Sequence, residues 1–276
     1  MKPMIKVQCI KHIYRDRTEV RLCGMDFIVE QGQRVVVLGA NGEGKTTLLS
    51  HVLGLLKPVE GTVEVAGMPP YENFKETRKK MGVLFQNVDE QMIGPRVYDD
   101  IAFTPRNEGM KEEEVDEKVH ALAKELGIAS LLSKIPHYLS GGQKKKIALA
   151  GAMITEPPLL ILDEPFDSLD PQSKEEFIDL LNYFHKKKGT TILLTTHDMN
   201  IVPLISDVVY VIHQGHIVLK GTWQEVFQQE EILQKAHLKS PLLVDLFLGL
   251  QRKGYPVSLP ATSEEAKKQL LTLLDK

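Results

Sequence analysis

The chain has 276 residues, 42% of them hydrophobic and 26% charged, with a formal net charge of −3. That content supports one large domain, or a domain with an appendage, and lacks the basic excess of a protein built to grip nucleic acid. No apolar run approaches the roughly 18 residues that span a bilayer, and MKPMIKVQCI has no secretory h-region, so work at a membrane needs another chain to cross it.

In chain order, IKVQCI (5–10) reads as a strand, and DFIVEQGQRVVVLG (26–39) as two more in a hairpin turning near Gly32. Cys9 and Cys23 form no C-x-x-C pair and read as buried or incidental thiols of a reducing compartment. The apolar run RVVVL leads into GANGEGKTT (39–47), which fits G-x-x-x-x-G-K-[ST]. Gly39, Gly42 and Gly44 let the backbone curl so that its amides face phosphate oxygens, and the following helix adds the positive end of its dipole. In such a loop Lys45 reaches the β- and γ-phosphates and the Thr46 hydroxyl binds Mg²⁺, with Asn41 and Thr47 completing the ATP-binding set. Glu43 is out of place. An acid in an anion cradle repels phosphate unless its side chain points out to solvent while its amide points in.

GTVEVAG (61–67) alternates as a half-exposed strand. Over 111–126 the period becomes helical, with Val115, Val119, Leu122 and Leu126 on one face and Glu112 to Glu114 in the first turn, where the helix dipole favours them. LSGGQ (139–143) is a second glycine loop, ahead of an apolar-rich helix that Ser140 can cap. LLILDEP (159–165) is a buried strand with Asp163 at its C-terminal end, where open α/β sheets bind ligands. Asp163 is placed to hold Mg²⁺ through water, and Glu164 to polarise a water attacking in line with the γ-phosphate. A helix over 172–187 separates this strand from TTILLTT (190–196), and both strands read as buried on two faces, as in a parallel sheet. VVYVIHQGHIVLKG (208–221) is a hairpin turning at Gln214-Gly215. From about residue 222 the pattern is mostly helical. Thr222 with Glu225, and Thr262 with Glu265, match capping boxes. Ser240 and Pro241 read as the start of a helix whose apolar face is Leu242, Leu243, Leu246 and Leu250. The nine histidines are scattered and form no ligand-spaced cluster.

Over roughly residues 4–221 the motifs run in a fixed order: GANGEGKTT, Gln86 after the strand MGVLF, LSGGQ, LLILDEP, SLD (168–170), and TTHD with His197. In that set and order the chain resembles the ATP-binding-cassette (ABC) ATPases. The resemblance implies an α/β P-loop NTPase fold, with a RecA-like core, an antiparallel β subdomain and a helical subdomain over about 87–155. It implies ATP and Mg²⁺ as cofactors and ATP hydrolysis as the activity. In that family two cassettes face head to tail, so Ser140, Gly141, Gly142 and Gln143 would serve the γ-phosphate bound by the other copy. One copy of each motif here implies a dimer with two composite sites. By the same resemblance His197 contacts the γ-phosphate and positions the attacking water. Gln86 ligates Mg²⁺ or that water and relays contact with a membrane subunit, and Asp170 couples the two sites. Tyr14 lies where family members stack an aromatic on adenine. Lys146 stands where they commonly have arginine, keeping the charge and losing the planar fork.

The stretch LFQNVDEQMIGPRVYDDIAFTPRNEGM (84–110) is similar to the ATPases of energy-coupling-factor transporters, which import transition-metal ions and vitamins. Gln86, Asp89, Gln91, Val97, Asp100, Ala102, Phe103, Pro105 and Asn107 match, while Val88 replaces a usual proline, Ile93 an aromatic and Thr104 a glycine. This resemblance implies that Gln91 lines the groove receiving the coupling helix of a transmembrane subunit, which works beside a substrate-binding membrane subunit. It implies that residues 222–276 are an extension holding two ATPases together. PRVYDDIAF is closer to the cobalt or nickel importers, which use one ATPase as a homodimer; the heterodimeric pair of the vitamin importers is the alternative. The expected location is the cytoplasmic face of the membrane, as a peripheral subunit without nucleic acid. A soluble ABC protein of ribosomes or DNA usually has two cassettes or a long coiled-coil insert, and this chain has neither. Glu164 and His197 argue against a degenerate cassette.

Overall fold

The computed structural model describes residues 3–274. The strands β1 (Pro3–Ile13), β2 (Glu19–Leu22) and β3 (Phe27–Glu30) come first, and β4 (Arg34–Leu38) then leads through the glycine loop to helix α1 (Lys45–Val52). Next are β5 (Glu60–Val65), α2 (Phe74–Arg78) and β6 (Met81–Leu84), then a helical stretch of α3 (Val88–Gln91), α4 (Val97–Asn107), α5 (Glu112–Glu125) and α6 (Gly141–Met153). The α/β pattern resumes with β7 (Leu159–Asp163), α7 (Pro171–Lys188), β8 (Thr191–Thr196), α8 (Val202–Ile205), β9 (Val208–His213) and β10 (His216–Gly221). Helices α9 (Trp223–Phe227), α10 (Glu230–Lys235), α11 (Leu242–Arg252) and α12 (Ser263–Leu274) close the chain.

Among the described residues the strands make two sheets. One is antiparallel, ordered β2-β1-β3 with β5 also on β1; the other is ordered β10-β9-β4-β8-β7-β6 and is parallel except for the β9–β10 hairpin. Side chains alternate across a strand, so each central strand feeds two cores. Val35, Val37, Ile161 and Leu193 share one core with Phe27 and Val29 of the small sheet and Leu49 and Val52 of α1. Val36, Leu38, Leu160, Leu162 and Leu194 share the other with Ile147, Phe177 and Leu181. This burial on both faces is why RVVVL, LLILD and TILLTT are unbroken apolar runs. The expected helix over 111–126 is α5, with Val115 and Val119 fully buried.

Four local expectations are corrected. First, β3 and β4 do not pair as a hairpin. Gly32, at φ 76°, carries the chain from the small sheet to the large one, with its N–H on Thr191 Oγ1 at 2.9 Å. Second, Cys9 and Cys23 are disulfide-linked rather than incidental thiols. The antiparallel register that pairs Ile10 with Leu22 sets Cys9 opposite Cys23. Third, Ser240 does not cap α11: its hydroxyl donates to the Phe227 carbonyl at 3.3 Å, and Pro241 is the cap residue. Fourth, the buried stripe of α11 is Val244, Phe247 and Leu248, while Leu242 is 78% and Leu246 51% exposed. The capping box of Thr222 and Glu225 is present. At α12, Thr262 Oγ1 accepts from the Glu265 N–H, but the Glu265 carboxylate reaches back to the Ala261 N–H instead of that of Thr262.

The packing does not part at residue 222. Trp223, Val226, Phe227 and Leu233 join the main core, and a separate small cluster begins only at Phe247, with Val257 and Ala266.

Candidate functional site

The site forms where β4, β7 and β8 end side by side, because parallel strands in register bring their C-terminal loops together. Leu38 pairs with Thr196 and Asp163 with Thr195, so the glycine loop, the two acids and His197 leave the sheet at one edge.

Two glycines of the loop take conformations that L side chains rarely adopt, Gly42 at φ 84° and Gly44 at φ 93°. Gly39 is needed for space: a Cβ there would come within 2.9 Å of the Ile212 carbonyl oxygen. Lys45 is 7% exposed, and its Nζ donates to the carbonyls of Gly39 at 2.8 Å and Ala40 at 3.2 Å. The same ammonium stands 3.5 Å from Glu164 Oε1.

Thr46 Oγ1 donates to Asp163 Oδ2 at 3.2 Å, and Thr195 Oγ1 donates to Asp163 Oδ1 at 2.6 Å. Thr195 Oγ1 also accepts the Glu164 N–H at 3.0 Å, so one threonine orients both acids. Glu164 is 6% exposed and sits at φ 45°, a strained backbone for a non-glycine residue of the kind that functional sites retain. Its Oε2 accepts from the His197 N–H at 3.1 Å and lies 3.0 Å from His197 Nδ1. A carboxylate only accepts, so this contact puts the imidazole proton on Nδ1 and leaves Nε2 free. Asp167 Oδ1 is 3.7 Å from His197 Nδ1, and Asp167 Oδ2 accepts from Gln86 Nε2 at 3.0 Å.

These groups line a cavity of about 340 Å³. Tyr14, Asn41, Gly42, Gly44, Lys45, Thr46, Thr47, Gln86, Glu164 and His197 all face it, with Gly39 and Asp163 just behind. Tyr14 is held at the rim by a 2.8 Å bond between its hydroxyl and Thr47 Oγ1, and its ring meets His12 edge-on. Val20 and Asp167 also line the cavity and were not among the residues expected from the sequence. Asp167 lies three residues past Glu164, so the DEPFD string was its only available signal. The hydroxyl and carboxylate oxygens of Thr46 and Asp163 form the hard donor set that Mg²⁺ takes, and Gln86 lines the same cavity.

Glu43 does turn its side chain out of the loop, though not to solvent. Its Oε1 is 3.1 Å from His213 Nδ1 and its Oε2 accepts the Gln214 N–H, which tethers the loop to the β9–β10 turn. Its amide points back to the Ala40 carbonyl at 3.4 Å.

The LSGGQ residues lie outside this cavity. Ser140 caps α6 in a reciprocal capping box with Gln143. Gly142 lets α6 approach α7: a Cβ there would be 2.5 Å from Ser173 Oγ. Gly141 faces a neighbouring cleft of about 390 Å³ shared with Gln86, Asp89 and Asp167. Asp170 caps α7, accepting from the Ser173 N–H at 2.9 Å and its hydroxyl at 2.6 Å, and those bonds hold its carboxyl below the usual range. Gln91 is a backbone clamp. Its side-chain oxygen takes the Phe85 N–H at 3.0 Å and its amide nitrogen donates to the Val83 carbonyl at 2.8 Å.

Comparison with known proteins places these features in context. The ABC transporter family matches residues 22–167. The energy-coupling factor transporter ATP-binding protein EcfA of Methanoculleus marisnigri is 39% identical over 269 residues, covering 97% of each chain. The protein of that name from Methanocaldococcus jannaschii is 40% identical over 265 residues, covering 95% of this chain and 94% of its own. Among solved structures, CbiO1 of Clostridium perfringens, described as part of the ABC transporter complex CbiONQ, superposes with a TM-score of 0.77 at 35% identity, covering 91% of this chain and all of that one.

Proposed function

This chain belongs to the ABC transporter family and is the ATP-binding subunit of an energy-coupling-factor transporter, and from that premise we propose that it hydrolyses ATP to drive uptake of cobalt or nickel through separate membrane subunits. The observation that carries the hydrolytic reading is the grip of Glu164 Oε2 on both the backbone and the ring of His197, with Oε1 3.5 Å from Lys45 Nζ. On this reading the loop amides and Lys45 bind the β- and γ-phosphates. Glu164 takes the proton of the attacking water, and His197 positions that water beside the γ-phosphate, with Nε2 as a hydrogen-bond acceptor. Thr46, Asp163 and the Gln86 side-chain oxygen would hold Mg²⁺, which when bound neutralises phosphate charge. Tyr14 stacks on adenine at the cavity rim.

Ser140, Gly141, Gly142 and Gln143 serve the nucleotide of a second copy, and Asp170 links the two sites. The presence of one copy of each motif supports a homodimer, with residues 4–221 as the ATPase domain, about 87–155 as its helical subdomain, and 222–276 joining the copies. The cargo reading rests on PRVYDDIAF. No helix among the described residues is long and apolar enough to cross a membrane, and the similarity to CbiO1 supports membrane partners. The chain would sit on the cytoplasmic face. Exposed Phe85, which Gln91 holds by its N–H, Ile93 just past α3, and Phe103 on α4 offer the transmembrane coupling subunit apolar side chains. That subunit works with the substrate-binding one.

The test is Glu164→Gln in the purified protein. MgATP binding is expected to persist while turnover falls by at least the ~10²-fold typical of losing a general base. Near-native hydrolysis would refute the assignment.

A further inference from the structure

The signature is followed by three consecutive lysines, Lys144, Lys145 and Lys146. On a helix, successive side chains point about 100° apart, so a charge run of this kind cannot serve one face. Here each lysine meets a different element. Lys144 Nζ is 2.6 Å from Asp89 Oδ1 on α3, across the 390 Å³ cleft. Lys146 pairs with Glu176 on α7. Lys145 turns inward, 4% exposed, and its Nζ donates to the carbonyls of Pro165 at 2.7 Å, Asp167 at 2.8 Å and, more loosely, Glu164 at 3.4 Å.

An ammonium has three donors, and these carbonyls use all three. A buried charge left unpaired is costly, so the group holds the backbone firmly wherever its acceptors sit. Burial lowers the Lys145 pKa to about 8, opposed by Asp167 and Glu164, so the charge persists at neutral pH. The backbone it holds is the segment that aims Glu164 at His197 and Asp167 at Gln86.

We propose that Lys145 is a positioning residue for ATP cleavage, fixing the Glu164–Asp167 backbone to the signature helix. Lys144 and Lys146 extend that junction to α3 and α7, so that the docking side, the catalytic carboxylate and the Asp170 helix move as one body. This rests on Glu164 being the general base. With the signature serving a second copy's nucleotide, the junction ties each chain's own base to its neighbour's ATP.

The test compares native full-length chain, Lys145→Met (similar length, no donors), Lys145→Gln (an amide with donors) and Glu164→Gln, measuring kcat, KM for MgATP and the Hill coefficient. In Lys145→Met, kcat is expected to fall about tenfold or more, as small misplacements of catalytic groups do, with KM little changed and cooperativity reduced. Lys145→Gln should recover part of kcat. Native kcat and cooperativity in Lys145→Met, or a raised KM with unchanged kcat, overturns the proposal. If Lys145→Met does not fold, Lys145→Gln decides: a reduced kcat at native KM supports the proposal, and native kinetics overturn it. Loss of turnover in Glu164→Gln alone leaves the base assignment standing while this inference fails. Survival of turnover in Glu164→Gln removes the base assignment itself.

Discussion

Single side chains in this site are held mostly by neighbours distant in sequence, and two show how burial sets their behaviour. Glu43, an acid in an anion-binding loop, avoids phosphate by reaching His213 and the Gln214 amide, so its charge supports the loop from outside. His51, on α1 behind the same loop, is 1% exposed. Its Nδ1 meets the Leu56 carbonyl at 3.0 Å and its Nε2 is unpartnered. Burial, reinforced by nearby His12, lowers its pKa from 6.5 to about 4. The unfolded chain therefore takes up a proton near pH 6.5 that the folded chain refuses until about pH 4. His51 thus costs stability as pH falls through that window and costs nothing above it, with a slope of at most about 1.4 kcal/mol per pH unit. Urea midpoints measured from pH 7 to 4 should fall more steeply for the native chain than for His51→Gln. Parallel curves would show that His51 stays uncharged in the unfolded chain or titrates normally in the folded one.

At the scale of elements, the short α3 joins two tasks. Asn87 caps it through the Asp89 N–H, buried Val88 occupies its first position, and Gln91 closes its end onto Val83 and Phe85. Gln91 therefore shapes the proposed docking surface by fixing the end of β6, just ahead of Gln86, instead of offering a free amide to a partner. Gln91→Ala removes two bonds to backbone and is expected to cost about 1–3 kcal/mol. Basal ATPase of the isolated chain should stay within about threefold of native, because Gln86 is held independently by Asp167. Transport in the assembled complex should fall much further. Equal losses in both assays would place Gln91 in the nucleotide site.

At the scale of the molecule, the last 50 or so residues divide by what they bury. Helices α9 and α10, with Val244 and Leu248 of α11, complete the main core, whereas Phe247 of α11 clusters separately with Val257 and with Ala266 of α12, and Leu242, Leu246, Leu271 and Leu274 are exposed. These four exposed leucines are the side chains that the dimerising role proposed for the extension would cover. The double change Leu246→Glu and Leu271→Glu should shift sedimentation from dimer toward monomer and lower ATPase activity at dilute protein, with recovery on concentration. An unchanged sedimentation coefficient would move the contact between copies away from this extension.

The local motifs were legible in the sequence because their physics is local. A glycine loop between an apolar strand and a helix, an acid pair ending a buried strand, and a helix cap at Ser140 are each fixed by residues within one turn or strand. Doubly buried strands also announced themselves, since two cores demand unbroken apolar runs. Tertiary structure alone decided the rest. Gly32 passes the chain between sheets, Cys9 meets Cys23 through strand register, and α11 buries Val244 and Phe247 because of its rotation against the core. Lys145 turns inward while its identical neighbours turn out. Spacing cannot show these things, because sheet partner, register and helix rotation depend on what lies opposite, and the residues opposite are far away in the chain.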